Sequence, residues 1–371
     1  MNESKSAVFV GSANSVFVTR TRDALNERGF AVSVLDPSIA ANFDGKDLRT
    51  KLRRMLERVK VMRRAIRSFP SNQTAIVHFL SFDAFWLIPM LAGHFDRVVG
   101  LAYGSDVLRR NRSFDPLMRF GLKRVEEIAA TNHNVMDVLL ADFPFLATRR
   151  PSILRFGLPV FDELLKIQQI STSQAKTSVG FDTERTLISL GYSASSGQRQ
   201  LELIDFFASH PEIQDDRIFV VPVQYGSQSV IDSVIAKCEI VNRGIGENVF
   251  FPLTEFHDPE RSALMRRATD ILINHSVSDA FSGTVQEVVY AGNLVLAGSH
   301  LPYRDMPGFG SAIKPFGSFD DVANALSPES LSEWKSKAAE MAIANQAELH
   351  ATSSWDAVIA DWRRTIDPPA R

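Results

Sequence analysis

The segment 276–292, SVSDAFSGTVQEVVYAG, lies between two apolar runs, Ile271-Leu272-Ile273 and Leu294-Val295-Leu296. Both runs are short and continuous, as in strands buried on two faces. Between them, the small residues Ser282, Gly283 and Thr284 lead into a helical stretch over 284–291 that Gly292 ends. Strand, turn, helix, strand is one β-α-β unit. It places 278–283 at the carboxyl edge of a parallel sheet, with Ser282 or Gly283 at the helix N-cap. Asp279 precedes the helix, and Glu287 is expected in its first turn.

The same unit recurs on either side. Strands are expected at 7–10, 30–35, 74–79, 97–101 and 127–131, with the first helix over 16–29. A polar stretch, QQISTSQAKTSVGFDTE at 168–184, reads as a linker. Beyond it the alternation resumes with strands at 186–190, 217–223, 249–253, 270–273 and 294–297. The expected fold is α/β, with two doubly wound Rossmann-like domains, 1–167 and 185–345. Such folds take ligands at the carboxyl ends of their strands, here in a cleft between the two domains.

A chain of 371 residues with 45% hydrophobic and 23% charged residues has the composition of a soluble globular protein. Its 41 basic and 43 acidic residues nearly cancel, so any electrostatic message is local. The single cysteine, Cys238, allows no intrachain disulfide and fits a reducing compartment. The N-terminus lacks the pattern of a signal peptide, and the apolar run 85–92 is far short of the ~20 residues that span a bilayer. The expected location is cytoplasmic, with any membrane contact peripheral.

The segment 46–67 carries ten Lys/Arg against Asp47 and Glu57. Leu48, Leu52, Met55, Leu56, Val59, Met62 and Ile66 recur in it at helical spacing. This basic amphipathic helix is either an interfacial membrane contact or a core helix with a solvated basic face. It has no aromatic residue to stack on bases, so nucleic acid is not expected as a partner. Phe79, Phe82, Phe85 and Trp86 form an aromatic cluster, either core or in part a lipid contact.

The segment 276–292 carries the chemistry. Free N–H groups at a helix start favour phosphates, and Ser282 and Gly283 let a phosphate approach. Glu287 can accept from the vicinal hydroxyls of a ribose, and Asp279 from hydroxyls at the far end of the same ligand. Either acid alone is explained by capping or the helix dipole. The pair, straddling Phe281-Ser282-Gly283-Thr284, describes a nucleotide-sugar site.

These residues resemble the donor segment of the GT-B glycosyltransferases whose retaining branch carries two acids with seven residues between them. Asp279 takes the first acid position and Glu287 the second. The stretch 191–198, GYSASSGQ, is similar to that family's Gly loop. Arg155-Phe156-Gly157-Leu158-Pro159 resembles the turn ahead of its linker. Ser353-Ser354-Trp355 resembles the opening of its C-terminal helix, which implies that 346–371 returns to the first domain. Ala102-Tyr103-Gly104-Ser105-Asp106, the stretch 221–226 and Pro302-Tyr303-Arg304-Asp305-Met306 resemble instead the inverting bacterial family that transfers 4-acetamido-4,6-dideoxygalactose (Fuc4NAc) onto a lipid-linked intermediate. That second family lacks the acid at Glu287.

The resemblance implies a donor site at Gly191, Tyr192, Ser193, Arg199, Gln224, Tyr225, Ser278, Phe281, Ser282, Gly283 and Thr284. One departure bears on it. Tyr192 and Ser196 stand where the retaining family places an Arg and a Lys against the donor diphosphate, leaving Arg199, Arg304 or backbone N–H groups to substitute.

No Asp-x-Asp occurs, no histidines stand at metal-ligand spacing, and no cofactor is implied. In the first domain Asp106 is the candidate base, with an N-cap as its other reading. His78, His133, Gly11, Ser12 and Asn14 are candidates for the acceptor or diphosphate side. The expected function is transfer of a sugar from a nucleotide-diphosphate donor to a glycan or polyprenyl-diphosphate-linked acceptor in bacterial surface polysaccharide synthesis, at the inner membrane face. A sugar-nucleotide epimerase and a non-catalytic relative in an assembly complex are the alternatives.

Overall fold

The computed structural model describes residues 5–40, 48–81 and 83–368. Lys46, Asp47 and Phe82 therefore lie outside the described residues. The chain divides into two compact units, Met1–Gly157 with Trp355–Arg371, and Leu158–Ser354.

The first unit holds β1 (Ser6–Val10), β2 (Ala31–Leu35), β3 (Thr74–His78), β4 (Arg97–Ala102), β5 (Glu127–Ala130) and β6 (Ser152–Ile153). They form one sheet in the order β2-β1-β3-β4-β5-β6, every pairing parallel. The steps β2→β3, β3→β4 and β4→β5 run in one direction across the sheet. Right-handed crossovers then put helices Leu48–Arg67, Ala84–Ala92 and Asp115–Leu122 on one face. The step β1→β2 runs the other way and sends helix Val16–Glu27 to the opposite face.

On that opposite face Phe9, Val18, Leu25 and Val99 pack with Trp355, Val358, Trp362 and Ile366 of helix Trp355–Ile366. Trp362 is fully buried and donates through Nε1 to the Arg155 carbonyl at 2.8 Å. Gly157 packs against the Trp355 ring, and a Cβ there would come within 2.3 Å of it. The RFGLP turn and the Ser-Trp motif, far apart in sequence, are thus two halves of one contact.

The second unit holds β7 (Thr186–Leu190), β8 (Arg217–Pro222), β9 (Phe250–Leu253), β10 (Ile271–Asn274), β11 (Leu294–Gly298) and β12 (Ile313–Phe316). The order is β12-β11-β10-β7-β8-β9, again all parallel. Phe207, Phe219 and Phe250 stack through its core, and Phe161 stacks on Tyr290 with centroids 3.9 Å apart.

Three features differ from the sequence reading. The stretch 168–184 contains a helix, Thr172–Val179, with a Ser171/Gln174 capping box and Gly180 in the left-handed region. It packs inside the second unit through Ala175, and Lys176 bonds the Arg185 carbonyl and pairs with Asp270, both at 2.7 Å. Only one short face of this helix is apolar, which is why it reads as a linker. The chain passes between units at 157–158 and 354–355, and 346–353 belongs to the long helix Pro328–Ser353 of the second unit. Strands β6 and β12 were not expected: β6 has two residues, and β12 contains Pro315, which an edge position tolerates.

Candidate functional site

Strand β10 ends at Asn274, and after eight loop residues helix Gly283–Tyr290 begins. The side chain of its N-cap, Ser282, accepts no bond from the first turn, so those N–H groups are not capped from within. Gly283 is pressed against Leu158, whose Cδ2 lies 3.0 Å from where a Cβ would sit. Phe281, just before the helix, has φ +69°, a conformation bulky residues rarely adopt. Its carbonyl is held by Gln286 Nε2 at 3.1 Å, and Gln286 accepts in turn from the Ser353 hydroxyl at 2.6 Å. The turn is therefore fixed from behind.

Asp279 is 9% exposed and saturated with donors. Its Oδ2 accepts from the Tyr192 hydroxyl at 2.8 Å, from Asn274 Nδ2 at 2.8 Å and from the Tyr303 hydroxyl. Its Oδ1 accepts from the Ala280 N–H at 2.7 Å. Burial and the Asp279 charge both push the Tyr192 and Tyr303 phenols well above their usual range, so both stay protonated. With four donors on two oxygens, Asp279 has little capacity left for a sugar hydroxyl. Asn274 and Tyr303 were not foreseen as partners, although a polar residue closing the apolar run ILIN was a visible signal.

Glu287 is 8% exposed. It is the fifth residue of a helix that starts at Gly283, one residue earlier than expected, so it opens the second turn instead of closing the first. Its Oε2 accepts from Arg266 Nε at 2.9 Å, while Arg266 Nη2 reaches the Thr284 hydroxyl at 3.3 Å. Its Oε1 lies on the Gly283 side, 3.9 Å from the Cβ position of that glycine. Arg266 was missed because it lies 21 residues upstream, on helix Pro259–Ala268. The signal that would have found it is topological: the helices before and after β10 run side by side. The Tyr225 phenol stands in the same neighbourhood. Withdrawal of its hydroxyl end from water raises it, Arg266 acts against this, and Glu287 adds to it.

The two adjoining loops are tied together. The Ala194 N–H donates to the Tyr225 carbonyl at 2.9 Å, and the Ser227 N–H to the Ala194 carbonyl at 3.0 Å. Gly226 has φ +140°, and a Cβ there would lie 2.0 Å from the Ala194 oxygen, so only glycine fits. Gly191 is also left-handed, with Gln198 Oε1 accepting from the Tyr192 N–H at 3.2 Å. Gln224 turns away to the Glu255 carbonyl. Arg199 pairs with Glu202 at 3.6 Å, so the cation that meets the two-acid segment is Arg266 instead. Ser193 is buried and Ser278 half-buried.

In the first unit, Asp106 Oδ2 accepts from the Leu80 N–H at 2.7 Å, and Oδ1 from the Gly104 and Tyr103 N–H groups at 2.8 and 3.0 Å. Burial raises this carboxyl and the backbone bonds oppose the rise. The geometry is that of a clamp on the β3 and β4 ends, with both oxygens engaged, and not of a base held free for a proton. His78 is buried beside Phe9 and Trp362, with Nδ1 2.6 Å from the Tyr103 hydroxyl and Nε2 without a partner. Burial pushes its imidazole down to about 3, so it is neutral. Gly11 lies over it, a Cβ there being 3.1 Å from His78 Cβ. Ser12, Asn14 and His133 are exposed, the Asn14 N–H bonding the Ser12 hydroxyl at 3.3 Å.

No protein-family model matches the chain, and no curated protein matches its sequence. Solved structures match its fold end to end. The UDP-forming α,α-trehalose-phosphate synthase from Burkholderia xenovorans is 10% identical over 98% of both chains, with a TM-score of 0.73. Anabaena HepE in complex with UDP and glucose is 13% identical over 98% of this chain and 99% of that one, with a TM-score of 0.70. Sucrose-phosphate synthase from Thermosynechococcus elongatus is 11% identical over 97% and 98%, also at 0.70. The chain has the GT-B fold, two Rossmann-like units of parallel strands and helices, the fold class expected from its sequence.

Proposed function

We propose that this protein is a glycosyltransferase that takes its sugar from a nucleoside-diphosphate donor bound to the second unit. The observation that carries the reading is the Glu287 carboxylate. Arg266 fixes one of its oxygens, and the other lies beside Gly283 at the start of an uncapped helix. A ribose hydroxyl pair on Glu287 puts the diphosphate at that helix start, where N–H groups oppose its charge and that of the leaving group. Tyr225, half exposed, is proposed to cover the base. Uridine is the first base to try, because HepE was solved with UDP and with UDP-glucose.

The first unit is proposed to hold the acceptor, a glycan or a polyprenyl-diphosphate-linked sugar of bacterial surface polysaccharide synthesis at the inner membrane face. Transfer is proposed to be metal-independent, with N–H groups meeting the leaving diphosphate. Asp106 is assigned to holding the β3 and β4 ends in place. The saturated state of Asp279 favours one second reading, a nucleotide-binding relative without turnover.

The test is a thermal-shift panel of UDP, GDP, ADP and their sugars on wild type and Glu287→Gln. A nucleotide at about 100 times its Kd adds ~2.7 kcal/mol, several degrees in a protein of this size. A shift with one base that weakens in the variant supports the donor site, and release of that diphosphate on adding acceptor supports transfer. No shift with any nucleotide sinks both readings.

A further inference from the structure

The first unit carries a second feature that the donor site does not use. Helices Leu48–Arg67, Ala84–Ala92 and Asp115–Leu122 lie side by side on one sheet face. Arg58 forks onto Asp83 at 2.9 and 3.1 Å and lies over the Trp86 ring at 4.9 Å, joining the first helix to the second. Gly121 joins the second to the third. A Cβ there would come within 2.6 Å of the Ala84 carbonyl, so the backbones touch.

The middle helix, AFWLIPMLA, has no charged side chain and its one polar side-chain group, the Trp86 Nε1–H, bonds Asp83, yet Phe85, Trp86, Pro89 and Met90 remain partly exposed. On the first helix Met62 and Ile66 are buried while Met55, Leu56 and Val61 are 43, 57 and 42% exposed. On the third, Leu117 and Phe120 are 41 and 51% exposed, with Phe114 beside them at 40%. Basic residues share these helices and the turn before the third with the apolar side chains, although Arg58 and Arg110 are paired with acids. Segment 48–67 has nine Lys/Arg against one Glu, and segment 109–124 has six against one Asp. The two segments hold 15 of the chain's 41 basic residues and 2 of its 43 acids, so the remainder is net acidic. Arg112, Arg119, Lys123 and Arg124 are exposed.

We propose that this three-helix face docks on an anionic lipid bilayer, inserting Leu117, Phe120 and the middle helix edge to the depth of the headgroups. Interleaved cations and exposed apolar side chains match a surface that is negative outside and apolar beneath. A charge-only partner would leave the apolar side chains unmatched, and a hydrophobic partner the cations. The inference deepens the membrane part of the proposed function. It is separable from the donor site, because vesicle binding and nucleotide binding are read independently.

The experiment is co-flotation of the full chain with vesicles of phosphatidylcholine containing one-third phosphatidylglycerol, and with phosphatidylcholine alone. Each basic residue near such a surface is worth about fivefold in partitioning. Wild type is expected on the anionic vesicles, falling at least about a hundredfold with charge reversal at Arg112, Arg119 and Lys123. Leu117→Ser with Phe120→Ser is expected to lose about tenfold while leaving the fold and any nucleotide thermal shift intact. No flotation of wild type, or flotation that survives both variants, overturns the proposal. Preferential capture of an oligonucleotide, or self-association abolished by the Ser variants in place of vesicle binding, overturns it by naming another occupant.

Discussion

The ion pair Arg266–Glu287 can be tested apart from any ligand. The two side chains are 20 and 10% exposed, with Nε and Oε2 2.9 Å apart. Breaking a fully buried pair by removing one partner costs about 3–5 kcal/mol, while exposed pairs are worth about 0–1. Arg266 keeps the Thr284 hydroxyl and some solvent, so Glu287→Ala should cost about 2–3 kcal/mol, and Arg266→Met about the same because it strands Glu287. In a unit of this size each kcal/mol moves Tm by roughly 2–4 °C, so each single variant should melt about 4–12 °C lower. The double variant leaves no unpaired charge and should melt no lower than the worse single, a coupling of at least about 2 kcal/mol. Urea denaturation of the four proteins measures it. Coupling below about 0.5 kcal/mol would refute the pair as a unit, and with it the argument that Arg266 orients Glu287. The cycle also guards the nucleotide test, since a Glu287 variant melts early for reasons unrelated to the donor.

Gly226→Ala should destabilise the second unit by more than about 2 kcal/mol, because its Cβ would overlap the Ala194 carbonyl at a left-handed φ; an unchanged Tm would refute the tie between the loops. His78 sets a pH dependence. Its folded value of about 3 lies below the unfolded 6.5, so in that window the unfolded chain holds a proton the folded one lacks. Stability then rises with pH by about 1.4 kcal/mol per unit up to 6.5 and is flat above, relative to His78→Phe. Parallel urea series for both proteins between pH 4 and 7 read this, and equal slopes would contradict it. Finally, with Arg266 balanced by Glu287 and Arg199 near Glu202, nucleotide affinity should change less than about threefold between about 0.1 and 1 M salt, by titration calorimetry. A steep loss would mean that a free cation holds the diphosphate.

Strand–helix alternation was legible because buried parallel strands read as apolar runs, and ten of the twelve strands among the described residues announce themselves this way. Strands β6 and β12 did not, being edge strands fixed by their neighbours and not by their own pattern. The helix Thr172–Val179 passed for a linker because its capping residues and one buried Ala make it look polar. At the site, the segment around Asp279 and Glu287 could be located, but not what those acids touch. Arg266, Tyr303 and Asn274 reach them from other elements, and a single sequence carries no record of such tertiary contacts. Asp106 was open between base and cap, and only the positions of Leu80, Tyr103 and Gly104 place its carboxylate on backbone N–H groups.

The departure at Tyr192 and Ser196 and the donor-saturated state of Asp279 explain each other. A Gly loop with an Arg and a Lys carries positive charge to meet a diphosphate, and an acid at position 279 is then free to hold the sugar. Here Tyr192 stands on that loop and donates to Asp279, joined by Tyr303 and Asn274. The acid is met by neutral donors, and the loop brings no cation of its own at 192 or 196. In the proposed donor complex, opposing the diphosphate is then left to the N–H groups that begin at Gly283, and these act only at short range and fixed angle. Such a site depends on holding that helix start still. The bonds from Gln286 to the Phe281 carbonyl, from Ser353 to Gln286 and from Tyr192 and Tyr303 to Asp279 do this. The same residues that weaken the loop's charge therefore rigidify the turn, and loss of the second effect would leave the first uncompensated.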